Sequence, residues 1–180
     1  MRIPTHWGVR PEETTRPYPC DGLIPEPGAT WFRGVTVQAP PAIVYRWLCQ
    51  LRVAPYSYDL LDNLGRRSPR TLTPGVERLA VGQPIMTIFD LVSFAPDRHL
   101  TIRMRPGPGR LLFGDFAITY DVRPDGDRAS RLVVKLLLGN TPGLLHEVRR
   151  RALAWGDLFM MRKQLLTFRE LAERQAAAGR

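Results

Sequence analysis

A two-residue alternation of apolar and polar positions dominates the middle of the chain. From Leu111 to Arg123, Leu112, Phe116, Ile118, Tyr120 and Val122 fall on one face, and Asp115, Thr119 and Asp121 on the other. From Arg131 to Leu138, Leu132, Val134, Leu136 and Leu138 oppose Arg131 and Lys135. Both runs predict strands with one face buried and the other in water. Pro106-Gly107-Pro108-Gly109 before the first run and Asp125-Gly126-Asp127 between the two are turn chemistry. Two earlier runs, Gln83 to Ser93 and Leu100 to Arg105, parted by Pro96-Asp97, extend the meander. Upstream, Trp31 to Val37 is rich in aromatic and β-branched residues and predicts a first strand. Ala39-Pro40-Pro41 ends it and opens a helix from Ala42 to about Leu51, where Ile43, Trp47 and Leu51 recur at helical spacing. Ser57 then caps a second short helix that Gly65 ends. Finally, Thr141 and Pro142 open a proline-free run to Ala178, with Leu145, Val148, Ala152, Trp155, Phe159 and Leu166 at helical spacing. That run predicts one long amphipathic helix.

This order predicts an α+β fold in which a curved antiparallel sheet wraps around the long C-terminal helix and leaves a cavity between them. Residues 1–29 hold Pro4, Pro11, Pro17, Pro19, Pro25 and Pro27, too many for a helix or central strand. They predict an extended arm before a single domain at 30–178. Trp7, Tyr18, Leu23 and Ile24 suit a wrapping arm, and composition alone equally allows a mobile one.

A length of 180 residues, 44% hydrophobic and 24% charged, suits one packed domain, and no apolar run approaches the roughly 18 residues of a membrane span. The net charge of +9 comes almost entirely from arginine, only Lys135 and Lys163 being lysines. Asp and Glu are interleaved throughout, which argues against a nucleic-acid partner. The one dense cluster, Arg149-Arg150-Arg151, reads first as a solvated helix face, with a phosphate or membrane-surface contact as the alternative. Cys20 and Cys49 lie in no metal-binding spacing and are expected as free thiols. His6, His99 and His146 are scattered, and no phosphate loop, dinucleotide fingerprint or nucleophile elbow occurs, so neither metal nor cofactor is expected. The start lacks a secretory apolar stretch, which makes the cytoplasm the expected location.

Three stretches resemble the START-like, helix-grip superfamily that includes polyketide cyclase/dehydrase and lipid-transport proteins. They are Val35-Thr36-Val37-Gln38-Ala39-Pro40-Pro41-Ala42-Ile43-Val44-Tyr45-Arg46-Trp47-Leu48-Cys49-Gln50-Leu51, Tyr56-Ser57-Tyr58-Asp59-Leu60-Leu61-Asp62-Asn63-Leu64, and Met161-Arg162-Lys163-Gln164-Leu165-Leu166. The second is similar to one bacterial subgroup. The resemblance covers residues 30 to about 176 and implies an apolar cavity that holds a lipid, polyketide or other small hydrophobic molecule. By direction and size, its lining is expected from Phe89, Phe116, Ile118, Tyr120, Trp155, Phe159 and Met160, with Trp47, Tyr56 and Tyr58 near the mouth. Catalysis there would need a titratable group, for which Tyr58, Asp59, His99, Arg103 and Asp115 are candidates, though they form no familiar constellation. Asp115, Arg103 and His99 are expected at the surface or rim. A non-catalytic carrier is the first reading, a cyclase/dehydrase-type enzyme the second, and an Arg-rich interaction module the third. Ligand identity and oligomeric state are not written in the sequence.

Overall fold

The computed structural model describes residues 3–58, 67–107, 109–110, 114–140 and 146–179. The second short helix expected after Ser57, the Thr141-Pro142 cap and the residues 111–113 lie outside the described residues. Strands β1 (His6–Trp7), β2 (Ala29–Val37), β3 (Pro84–Ile85), β4 (Phe89–Ala95), β5 (His99–Met104), β6 (Phe116–Pro124) and β7 (Ser130–Leu138) form one sheet. Helix α1 (Pro41–Cys49) follows β2, and helix α2 (His146–Ala178) closes the chain. The sheet order is β1-β2-β7-β6-β5-β4-β3, antiparallel throughout except for the short parallel β1 at the edge. The expected run from Gln83 to Ser93 is two strands, because Met86 and Thr87 adopt positive φ and break it.

Register places the inner-face side chains in rows across the sheet. Trp31, Leu136, Ile118, Ile102 and Leu91 make one row. The next is Arg33, Val134, Tyr120, Leu100 and Phe94, and beyond it lies Val35, Leu132 and Val122. Helix α2 covers this face with Ala154, Leu158, Met161, Leu165, Phe168, Leu171 and Ala172, all buried. The helix therefore turns inward a different stripe from the expected one. Val148, Ala152, Trp155 and Phe159 recur just as regularly, yet all four are exposed. Spacing fixes a period but not a phase, so a helix with two apolar stripes reads ambiguously.

The outer face was expected to meet water, and here the structure differs. Thr101, Thr119 and Asp121 are buried, and Phe32, Ala117, Val133 and Leu137 form a second apolar cluster with Tyr18, Cys20 and Ile24 of the N-terminal segment. Among the described residues, this segment crosses the sheet at two facing glycines. Gly8 has φ +68°, and a Cβ there would lie 2.1 Å from the Gly34 carbonyl oxygen. Only glycine permits so close a crossing at that backbone angle.

Ion pairs then pin the segment. The Arg131 guanidinium donates to Glu13 at 2.7 Å through both Nε and Nη2, while its Nη1 reaches Thr36 and Nη2 the Gly8 carbonyl. Arg16 bonds Asp121 at 2.7 Å, and the Lys135 ammonium lies between Asp21 and the Tyr18 and Phe32 rings. Burial works against the Glu13 carboxylate, but its bonds from Arg131 and the Arg10 amide hold it below the usual range. The charged residues of β7 that patterning assigned to solvent are thus the sockets for the arm. Glu13→Ala leaves Arg131 a buried cation without a counter-ion and is expected to cost about 3–5 kcal/mol in urea unfolding. Asp125→Ala, which removes only the exposed pair with Arg10, should leave the unfolding midpoint almost unchanged.

Candidate functional site

The inner face grades from apolar to polar along the strands. At one end, Ala29, Leu138 and Phe116 share a row, with Phe89 opposite Met104 on the neighbouring strands. Phe89 and Phe116 keep 8% of their surface exposed and Ile118 5%, whereas Tyr120, Leu100 and Val134 keep none. The face is buried throughout and is least completely closed at the Phe89–Phe116 end. Trp31 stands edge-on to Phe116, ring centroids 6.1 Å apart, one row further in.

The next row but one carries Arg33 and Tyr120, both directly opposite Val134. Helix α2 answers each with a side chain of its own, Asp157 and Gln164, seven positions apart and so on the same helix face. Arg33 Nη2 donates to Asp157 at 2.7 Å, and its Nη1 donates to the carbonyls of Thr5 and Phe32. The buried Arg33 Nε finds no hydrogen-bond partner among the described residues. Tyr120 donates to Gln164 Oε1 at 2.9 Å, and Gln164 Nε2 donates to the Pro55 carbonyl at 2.5 Å.

Burial dominates the electrostatics of this row. It pushes the Asp157 carboxyl up to about 6 despite the pull of Arg33, and it lowers Arg33 despite the pull of Asp157. Both partners are under-compensated, as expected where desolvation outweighs mutual attraction. Burial also pushes the Tyr120 hydroxyl upward, and the neighbouring Asp157 charge adds to the shift. A carboxyl near 6 beside a neutral phenol and an arginine can exchange protons near neutrality.

The expected lining residues separate into three groups. Phe89, Phe116, Ile118 and Tyr120 lie together on the inner face. Trp47 and Tyr56 are buried in the same core but closed off: Trp47 Nε1 donates to Gln175, and Gln50 Nε2 donates to the Tyr56 hydroxyl at 2.7 Å. Tyr56 also holds φ +58°, with its ring 5.1 Å from that of Phe168. Tyr58, Trp155, Phe159 and Met160 are exposed, the last three on the outer flank of α2 rather than over the sheet. Of the titratable candidates, Arg103 and Asp115 pair with each other at 2.7 Å, with Arg110 joining Asp115. Both belong to the rows facing away from α2, as expected. His99 opens β5 opposite Asp121, and burial lowers it. Asp59 lies outside the described residues. Among the described residues no group of three or more His, Cys, Asp or Glu side chains is placed to hold a metal ion.

Arg33 and Asp157 were not singled out from the sequence, though a signal was present. Arg33 has the parity of Trp31, Val35 and Val37, a lone charge inside an apolar alternation, and Asp157 falls in phase with Ala154, Leu158 and Met161.

Chain tracing alone relates this arrangement to solved structures. The ZhuI aromatase/cyclase from Streptomyces sp. R1128 superposes with a TM-score of 0.55 at 16% identity, over 84% of this chain and 98% of that one. A solution structure from Thermobifida fusca gives a TM-score of 0.53 at 18% identity, over 81% and 93%. A crystal structure from Mesorhizobium loti gives 0.51 at 15%, over 81% and 98%. The chain has a helix-grip fold. No protein-family model and no curated protein sequence matches it. At these identities the likeness concerns the helix-grip architecture alone.

That row generates a pH dependence of defined sign. Asp157 titrates near 6 in the fold against an ordinary 3.8, so its contribution to stability is complete below about 3.8 and is lost as pH rises through about 6. The loss amounts to at most about 3 kcal/mol by neutral pH. Carboxyl NMR should place the Asp157 midpoint near 6, and Asp157→Asn should flatten the fall in stability between about pH 4 and pH 7. A midpoint at the ordinary value, or an unchanged profile in the variant, contradicts this assignment.

Proposed function

We propose that the protein binds a small hydrophobic molecule bearing one polar oxygen group, seated on the inner face between the sheet and α2. The observation that supports this most is the ending of an apolar surface, least closed at its Phe89–Phe116 end, on a buried arginine whose Nε–H has no partner among the described residues and whose counter-ion is held near 6. A ligand carbonyl or carboxylate accepting from Arg33 Nε would supply the missing bond, and orphaned buried donors cost about 1–3 kcal/mol. The apolar body would gain about 25 cal/mol per Å² buried against Phe89, Phe116, Ile118 and Trp31. Side chains occupy this face, so entry requires Phe89 and Phe116 to swing aside. In this reading the protein is a carrier or binding protein.

A second reading, an enzyme that folds and dehydrates a polyketide-like substrate, is favoured by one observation. Asp157, with a carboxyl near 6, adjoins Tyr120 at the polar floor, as a proton-transferring group should. In that reading Arg33 holds a substrate carbonyl while Asp157 takes the proton from the adjacent carbon and passes it to the β-hydroxyl, which leaves as water as the carbon–carbon double bond forms. The Streptomyces neighbour of the same fold is named an aromatase/cyclase.

Native mass spectrometry of the purified protein, followed by identification of what denaturation releases, tests the shared part of both readings. A released lipid- or polyketide-like molecule in stoichiometric amount is expected, and its rebinding should shift the emission of Trp31, which stands against Phe116. Phe116→Ala should lower ligand affinity while costing less than the roughly 3–5 kcal/mol of an interior phenylalanine deletion. Arg33→Met should weaken binding of an oxygenated ligand about tenfold or more and leave a hydrocarbon analogue unaffected. A full interior penalty at Phe116, together with no ligand bound from a hydrophobic library, would sink the proposal.

A further inference from the structure

The first half of α2 presents an apolar stripe that is exposed among the described residues. Val148 is 67% exposed, Trp155 46%, Phe159 56% and Met160 36%. With exposed Ala152, the residues Val148, Trp155 and Phe159 recur at steps of four, three and four, so they form one line along the helix. The Trp155 and Phe159 rings lie 6.2 Å apart. Contiguous exposed apolar surface of this kind marks a contact site.

The charges around the line identify its occupant. Arg151 lies four residues before Trp155, Arg162 three after Phe159 and Lys163 four after it, so each borders the line. All three are exposed, and none makes an ion pair among the described residues; Arg162 lies over the Trp7 ring at 5.8 Å. From Val148 to Lys163 the sole carboxylate is Asp157, turned to the other flank and held by Arg33. The stripe is therefore apolar and edged by cations alone. A second copy of the chain would bring these cations against their own symmetry mates, with a net charge of +9 on each molecule. A nucleic acid would satisfy the cations but leave Val148, Ala152 and Met160 nothing apolar to enter. An anionic bilayer surface satisfies both: Trp155 and Phe159 enter the boundary between headgroups and acyl chains while Arg151, Arg162 and Lys163 meet lipid phosphates and carboxylates.

We propose that this flank of α2, from Val148 to Lys163, docks the protein onto anionic membrane surfaces, lying in the interface without crossing it. No helix among the described residues is long and apolar enough to span a membrane, and the docking needs none. The inference is independent of the inner-face ligand.

Co-sedimentation of the full chain with vesicles tests it. The chain should bind phosphatidylcholine vesicles containing ~30 mol% phosphatidylserine at least about tenfold more tightly than pure phosphatidylcholine, and ~0.5 M salt should abolish most of the difference. Trp155→Ser with Phe159→Ser should reduce binding about tenfold or more, with the melting temperature within about 2 °C of the parent because both side chains are exposed. Arg151→Glu with Lys163→Glu should reduce it similarly while keeping every apolar side chain, and so tests the same flank should the serine pair fail to fold. Phe116→Ala should leave vesicle binding intact, which separates this proposal from the ligand site. Equal binding to both vesicle types, no binding to either, or wild-type binding by the variants overturns it. So does a dimer seen by analytical ultracentrifugation that the serine pair dissolves, or retention on single-stranded DNA that anionic vesicles fail to displace.

Discussion

Both faces of the central strands must be covered at once, and the rest of the structure follows from that requirement. In β6 and β7 the residues facing α2 and those facing away are buried alike, so the sheet is an inner layer. A single closing helix can cover only one side. The proline-rich segment covers the other, and it does so with side chains rather than with regular hydrogen bonding, since proline supplies no backbone donor. Tyr18, Cys20 and Ile24 fill the apolar ground, and the arginines and lysine of the outer rows receive its carboxylates.

The inner side meets the opposite difficulty. Its cover, α2, must seal an apolar face that nonetheless contains an arginine and a tyrosine in the same row. The helix offers one polar partner for each, yet the match is incomplete at Arg33, where burial depresses the cation and raises its counter-ion together. Packed interiors seldom retain such a defect without use. Its place beneath the apolar rows that end at Phe89 and Phe116 joins the fold to the binding chemistry proposed for it.

How much was legible in the sequence depended on whether the signal was periodic. Strands β2, β5, β6 and β7 and helix α1 followed from alternation and proline punctuation, with ends displaced by a residue or two except at the start of β6, expected at Leu111 and found at Phe116. Helix α2 was legible as a helix, but not in its orientation, because Val148-Ala152-Trp155-Phe159 and Ala154-Leu158-Met161-Leu165 are both credible buried stripes. The choice between them is made by what they meet: Asp157 and Gln164 flank the second stripe and reach Arg33 and Tyr120. Pairings of that length cannot be read from local spacing. The same holds for the outer face, where Arg131 and Lys135 look like solvent-facing residues until Glu13 and Asp21 are brought across the sheet. The polar floor was overlooked for a related reason, since a single arginine in a strand is ordinarily a surface residue.

The bond between Glu13 and Arg131 also sets an order of assembly. Its partners are 118 positions apart, and the outer cover also packs on Ala117, Val133 and Leu137 from the second half of the chain. During synthesis at about 5–20 residues per second, the arm leaves the ribosome before Arg131 does and stays without that docking partner for roughly 6–24 s. Through that interval Tyr18, Cys20 and Ile24 are apolar groups on a tether that has nowhere to fold. Six prolines over residues 1–29 keep the waiting segment from pairing as a strand with other chains. A composition that looks merely unstructured is, on this timescale, protection for the last piece to dock.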